Sequence, residues 1–267
     1  MLSISCPGPE IVPDEEQAQL CRDANEFARD IRDKYPDRYG FFAMVPSLMD
    51  TAAALEEIRY AFDVLGADGV TLYTRYGKGN NYLGHPNFAP VWEELHRREA
   101  VVFVHPTDPI DANNKVNEKL LQPILDFPHE TTRTAVDLIM TDSVRKYSRC
   151  KIILSHGGGS LPYLAARPAM LLHDTGLTNM TSEYFLESAR MFYYDTALTD
   201  PNLVLPFLLK FASADHILFG TDVPYAPDVT VKRLSRDLDE VPLSRRDRDK
   251  IEFGTALKLF PRLAHLR

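Results

Sequence analysis

Short apolar, β-branched runs that turn polar only at their last residue constrain this chain more than any other feature. VVFVH at 101–105, KIILSH at 151–156 and HILFGTD at 216–222 are the clearest. A strand apolar on both faces is buried on both faces, which points to a parallel sheet covered by helices, in a barrel or a doubly wound array. Residues 2–6, 41–45, 70–74 and 192–196 supply further candidates and bring the expected strands to seven. Amphipathic stretches with helix-start residues lie between them. Asp14 with Gln17 opens the first, which ends before Pro36. Asp50 opens the second, with Ala53, Ile58, Ala61 and Phe62 as its apolar face. Pro86 and Asn87 open a third through Trp92 to about Glu99. Others are expected over 131–146, 201–211 and 229–238, and the last begins at Ser244 with the stripe Ile251, Ala256, Leu257 and Phe260. Strands alternating with helices make repeated βαβ units.

The 267 residues suit one α/β domain over 1–267, because a barrel of this kind runs to roughly 250 residues. A net charge of -8 argues against a nucleic-acid groove, which needs a surplus of Lys and Arg, yet leaves room for an anionic small molecule held by a few local cations. Three cysteines, Cys6, Cys21 and Cys150, are too few for a disulfide scaffold and imply a reduced interior. No apolar run approaches the roughly 20 residues of a membrane span, and the N-terminus lacks the basic and apolar regions of a secretory signal. A cytoplasmic protein is expected. The segment 107–127, rich in Asp, Asn and Pro, reads as an active-site loop or lid.

His105, His156 and Asp222 close the three clearest strands, where both parallel architectures place their active sites. A lone histidine at a strand end is as often a satisfied structural group, but three such ends converge on one pocket. Imidazole nitrogen and carboxylate oxygen suit Zn²⁺ or a similar divalent ion. Gly157, Gly158 and Gly159 fit neither phosphate-binding glycine pattern; after a strand-end histidine they allow close backbone approach.

The segments FVHP, SHGGGSLPYLAAR and ILFGTDVPYAP, with LSISCPG, DKYPDRYGFFAMVP and ALKLFPRL in matching order, resemble the amidohydrolase-related decarboxylases. That group includes aminocarboxymuconate-semialdehyde decarboxylase and the fungal 6-methylsalicylate-type decarboxylases. The resemblance implies a TIM-type (β/α) barrel of the metal-dependent hydrolase superfamily. It implies a carboxy-lyase acting on a small aromatic or dienoic carboxylic acid, with a divalent metal, Zn²⁺, held by His105 and Asp222. His156 matches the catalytic histidine that moves the proton. Arg167 matches an arginine that reaches into a neighbouring subunit to bind the substrate carboxylate, which makes a homodimer the expected assembly. The stretch 127–133 resembles one near the substrate and reads equally well as a helix start followed by charged surface.

One departure stands against this pattern. The family's first strand carries a His-x-His pair, and no His-x-His occurs in this sequence. The first βα unit is therefore expected to be missing, leaving two sheet edges for a covering element, a partner or further N-terminal chain. Two protein ligands where catalytic zinc usually takes three predict weak metal binding. His85 and Cys6 are not expected to substitute, and His96, His129, His173, His216 and His265 suit structural or solvated roles. A hydrolase acting on a lactone or amide, and a barrel that has lost its metal and its chemistry, are the alternatives.

Overall fold

The computed structural model describes residues 1–108 and 116–266. Its strands are β1 (Phe42–Met44), β2 (Gly69–Tyr73), β3 (Val101–His105), β4 (Lys151–Leu154), β5 (Tyr193–Asp195) and β6 (Ile217–Leu218). They form one parallel sheet in chain order. The chain divides into two compact units, residues 1–152 and 153–267.

In the first unit β1 pairs with β2 and β2 with β3, with Tyr73 opposite His105. The longer helices beside them are α1 (Asp14–Lys34), α2 (Thr51–Asp63), α3 (Ala89–Arg97) and α4 (Gln122–Met140). Asp50 caps α2 as its sequence predicts, accepting from the Ala53 amide at 3.0 Å. The face α2 buries is Ala54, Glu57, Ile58 and Ala61, one step round from the expected stripe. Glu57 is buried because Arg22 and Asn25 of α1 donate to its carboxylate at 2.9 and 2.8 Å. Asn25 also donates to the Met44 carbonyl and accepts from the Met44 amide, both at 2.8 Å, so one carboxamide ties α1 to β1 and α2. Gln17 does the same for the Ser47 amide at 3.0 Å.

Two expectations need correction here. The predicted strand 2–6 reduces to a single bridge between Leu2 and Phe41. Beyond it the Ile4 carbonyl accepts from the Tyr73 hydroxyl at 3.0 Å instead of from a neighbouring strand. The fourth helix starts at Gln122, within the expected loop, and passes through Pro128 to Met140. Pro128 has no N–H for the Ile124 carbonyl one turn earlier, and the Thr132 and Thr131 hydroxyls donate to the Pro128 and Phe127 carbonyls at 2.9 and 3.2 Å. Part of the expected lid, 109–115, lies outside the described residues.

In the second unit β4 pairs with β5 and β5 with β6. Around them run α5 (Ala166–Asp174), α6 (Ser182–Arg190), α7 (Leu205–Phe211) and α8 (Asp228–Glu240). The last helix crosses Arg245–Asp249, a π-helical turn at Lys250–Gly254 and Thr255–Leu259. Leu154, Phe185, Phe192, Tyr194, Leu208, Ile217 and Ile251 fill the interior of this unit. Among the described residues no helix is long and apolar enough to cross a membrane.

Candidate active site

The second unit concentrates ionisable groups where its strands end. Past β4 the chain makes a tight 3-10 turn, and His156 takes a left-handed φ of 56°. Asp222, four residues beyond β6, also has a left-handed φ of 61°. Such conformations cost a non-glycine residue of order 1 kcal/mol or more and gather at functional sites. Gly158 follows His156 at φ +75°, and a Cβ there would lie 2.5 Å from the Tyr194 ring, so only glycine fits.

Asp195, the last residue of β5, is buried beneath this turn. Its Oδ1 accepts from the His156 amide at 2.8 Å and from the Ala197 amide at 3.0 Å. Burial pushes its pKa up to about 6, against the opposing pull of the His156 ring and the two amides. The His156 ring lies beside the second carboxylate, with Nε2 3.8 Å from Asp222 Oδ2. Burial works to lower the His156 pKa, but Asp222 and Asp195 outweigh it and leave the imidazole more basic than usual. An imidazole held basic between two carboxylates can take up a proton and deliver it. Asp195 was not singled out in the sequence, although YYDT repeats the pattern of an apolar strand ending in a polar residue.

In the first unit His105 ends β3 and is buried. Its Nδ1 lies 2.8 Å from the Pro106 carbonyl oxygen, which can only accept, so Nδ1 carries the proton and Nε2 keeps its lone pair. Nε2 faces the Ser5 hydroxyl at 3.4 Å, and the Phe127 ring stands edge-on at 6.3 Å. This is the arrangement of a metal-binding imidazole whose other nitrogen is fixed by a backbone acceptor.

The donor chemistry suits a divalent cation. The 3.8 Å between His156 Nε2 and Asp222 Oδ2 is close to the roughly 3.4 Å separating two donors at about 2.1 Å on a tetrahedral ion. Arg167 lies exposed near the start of α5. Three other histidines have backbone hydrogen bonds among the described residues. His85 Nδ1 accepts from the Asn87 amide at 3.3 Å and His96 Nδ1 from the Arg149 amide at 3.4 Å. The Nδ1 of His216 donates to the Phe192 carbonyl at 2.9 Å, and its ring stacks on Tyr193 at 4.5 Å. His129 lies in α4 and His173 in α5. The His265 side chain lies outside the described residues. Burial pushes the Cys6 thiol pKa up.

The family model described as Amidohydrolase matches residues 6–262. The chain belongs to the amidohydrolase family. Over 265 residues it is 50% identical to a 6-methylsalicylic acid decarboxylase of Penicillium expansum, covering 98% of this chain and 82% of that protein. It superposes on a 2,6-dihydroxybenzoate decarboxylase solved with 2,6-dihydroxybenzoate, with a TM-score of 0.85 and 26% identity over 98% of this chain and 83% of the other. A dihydroxybenzoic acid decarboxylase from Polaromonas sp. JS666, solved with manganese and 2-nitroresorcinol, superposes with a TM-score of 0.86 and 25% identity over 98% and 81%. This amidohydrolase thus falls among relatives named for decarboxylation of aromatic acids, and the parallel α/β order agrees with the barrel expected of it.

Proposed function

We propose that this amidohydrolase is a metal-assisted carboxy-lyase that releases CO₂ from a small aromatic acid of the salicylate type. The observation that carries the reading is His156, a basic imidazole between Asp195 and Asp222, in a chain half identical to a 6-methylsalicylic acid decarboxylase. His156 in its cationic form delivers a proton to the ring carbon that bears the carboxylate. The carbon–carbon bond then breaks, its electron pair restores the aromatic ring, and CO₂ leaves, so no free carbanion forms. Asp195 fixes the backbone of the His156 turn through the amide hydrogen bond and, with Asp222, favours the cation.

His105 and Asp222 are the proposed metal donors, and His156 keeps its nitrogens for the proton. When bound, a divalent ion supplies positive charge that orients and polarises the acid's oxygens. Zn²⁺ fits an imidazole and a carboxylate, and Mn²⁺, the ion of the Polaromonas relative, fits the same pair. With no His-x-His in the sequence, retention is expected to be weak. Arg167 belongs to the same proposal as a substrate-carboxylate ligand reaching across a homodimer, as do a single domain over 1–267 and a cytoplasmic setting. Its exposure is compatible with a role across an interface.

Incubation with salicylate and 6-methylsalicylate, with Zn²⁺ or Mn²⁺ supplied, tests the reading by chromatography of the phenols formed. Phenol and 3-methylphenol are expected, in amounts that follow the metal added. Intact acids under both metals would end the proposal, and metal retained in equal amounts by His105→Ala and Asp222→Ala would reject the donor assignment.

A further inference from the structure

The first unit holds a buried arginine that the proposed reaction has not used. Arg75 lies two residues past Tyr73, which pairs with His105. The extended backbone continues there, since the Thr74 amide donates to the His105 carbonyl at 3.1 Å and Arg75 bridges Tyr82. Neighbouring residues of a parallel pair point the same way and side chains alternate along a strand. Tyr73, Arg75 and His105 therefore share one face. Ser5, at the His105 ring, and Cys6, whose thiol is 3.5 Å from the Thr107 hydroxyl, border that face.

The Arg75 side chain is only 11% exposed. Among the described residues its guanidinium makes a single hydrogen bond, from Nη2 to the Asp108 carbonyl. Its Nε has no hydrogen-bond partner, the Glu130 Oε2 atom lying 3.6 Å away. A bidentate fork is the strongest way for a guanidinium to engage a carboxylate, and a buried donor left unused calls for another acceptor. Glu130 is itself buried and shared. Tyr82 donates to its carboxylate at 3.2 Å, and Arg133 Nε lies 3.7 Å from it while donating to the Tyr82 hydroxyl at 2.5 Å. Two guanidiniums thus face the Glu130 carboxylate, so neither has it to itself.

We propose that Arg75 is the carboxylate anchor contributed by this chain itself, a specificity-determining residue held in place by Glu130. The inference rests on the aromatic-acid reading above and is independent of Arg167. A cation on the carboxylate stabilises the bound acid and loses its partner as neutral CO₂ departs. An interaction held in the ground state and given up as the bond breaks does not lower the barrier, so its removal should raise KM without lowering kcat.

The metal-loaded protein is titrated calorimetrically with salicylate and with its neutral analogue salicylamide. Arg75→Met is expected to weaken salicylate about tenfold to hundredfold, the range of charge-assisted hydrogen bonds, and to leave salicylamide within about twofold. A purely structural role would weaken both alike or neither, and either result overturns the proposal. Should Arg75→Met not fold, Arg75→Lys keeps the charge and loses the fork, and is expected to weaken salicylate about threefold to tenfold; an unchanged Kd overturns the anchor. If the wild type binds salicylate selectively through Arg75 yet releases no CO₂, the decarboxylase reading fails and the anchor stands. If Arg75→Met releases CO₂ with the wild-type KM, the anchor fails and the reading stands.

Discussion

The ring of His105, in residues 1–152, is locked by the Pro106 carbonyl and the Ser5 hydroxyl and walled by Phe127. His156, in residues 153–267, instead sits on a left-handed backbone between two carboxylates, one of them buried with a pKa near 6. Neutral partners suit a group that must hold still and keep one lone pair available. Flanking charges suit a group that must change its protonation state. Under the proposed reaction, the same residue type after the same kind of strand is given two tasks by its neighbours.

Replacing His156 tests this contrast most severely. His156→Asn is expected to reduce kcat by about 10²–10⁴-fold, the usual worth of a positioned acid–base group, with the melting temperature little changed. A loss of only a few-fold in steady-state assays would remove His156 from the proton transfer. The first unit should instead fail through stability. Asn25→Ala deletes three hydrogen bonds and leaves both polar groups of Met44 and a buried Glu57 oxygen short of partners. It should cost about 3–5 kcal/mol and lower the melting temperature by roughly 6–20 °C, with kcat preserved in the fraction that stays folded.

His105, His156 and Asp222 were legible because each follows an apolar run, although only His105 lies within its strand, with His156 two residues past β4 and Asp222 four past β6. Asp195 carries the same signature in YYDT and was passed over, because its partners are backbone amides that no side-chain pattern announces. The strand expected over 2–6 was overread. Its alternation is genuine, but whether a carbonyl meets a ladder or the Tyr73 hydroxyl is a tertiary choice. α4 starts ahead of the expected 131 because Pro123 falls in its first turn, where a missing N–H costs no helical bond, whereas Pro123 and Pro128 read in sequence as breakers. Asn25 and Gln17 look like surface polarity on α1 until β1 and the segment after it are packed against them.

The smallest effect should come from the surface of the second unit. Lys250 and Lys258 donate to Asp215 at 2.7 and 2.9 Å and hold its pKa down at about 2, below the usual 3.8. A depressed carboxylate stabilises the fold above its unfolded pKa, and that contribution disappears as pH falls from about 4 towards 2. Asp215 is more than a third exposed, so solvent screening limits Asp215→Asn to about 0.5–1 kcal/mol at neutral pH. Denaturant melts at pH 7 and pH 2.5 should show that difference shrinking in acid; a constant difference would mean that packing, not charge, is responsible.

The central claim is that His156 replaces CO₂ with a proton at the ring carbon, and isotope incorporation reads that event directly. In D₂O, salicylate and the metal-loaded protein should give phenol carrying one deuterium at the position vacated by the carboxylate, seen by proton NMR as the loss of half the ortho signal. His156→Asn should give almost none in the same time. Unlabelled phenol, deuterium spread over other ring positions, or equal labelling by His156→Asn would contradict the account.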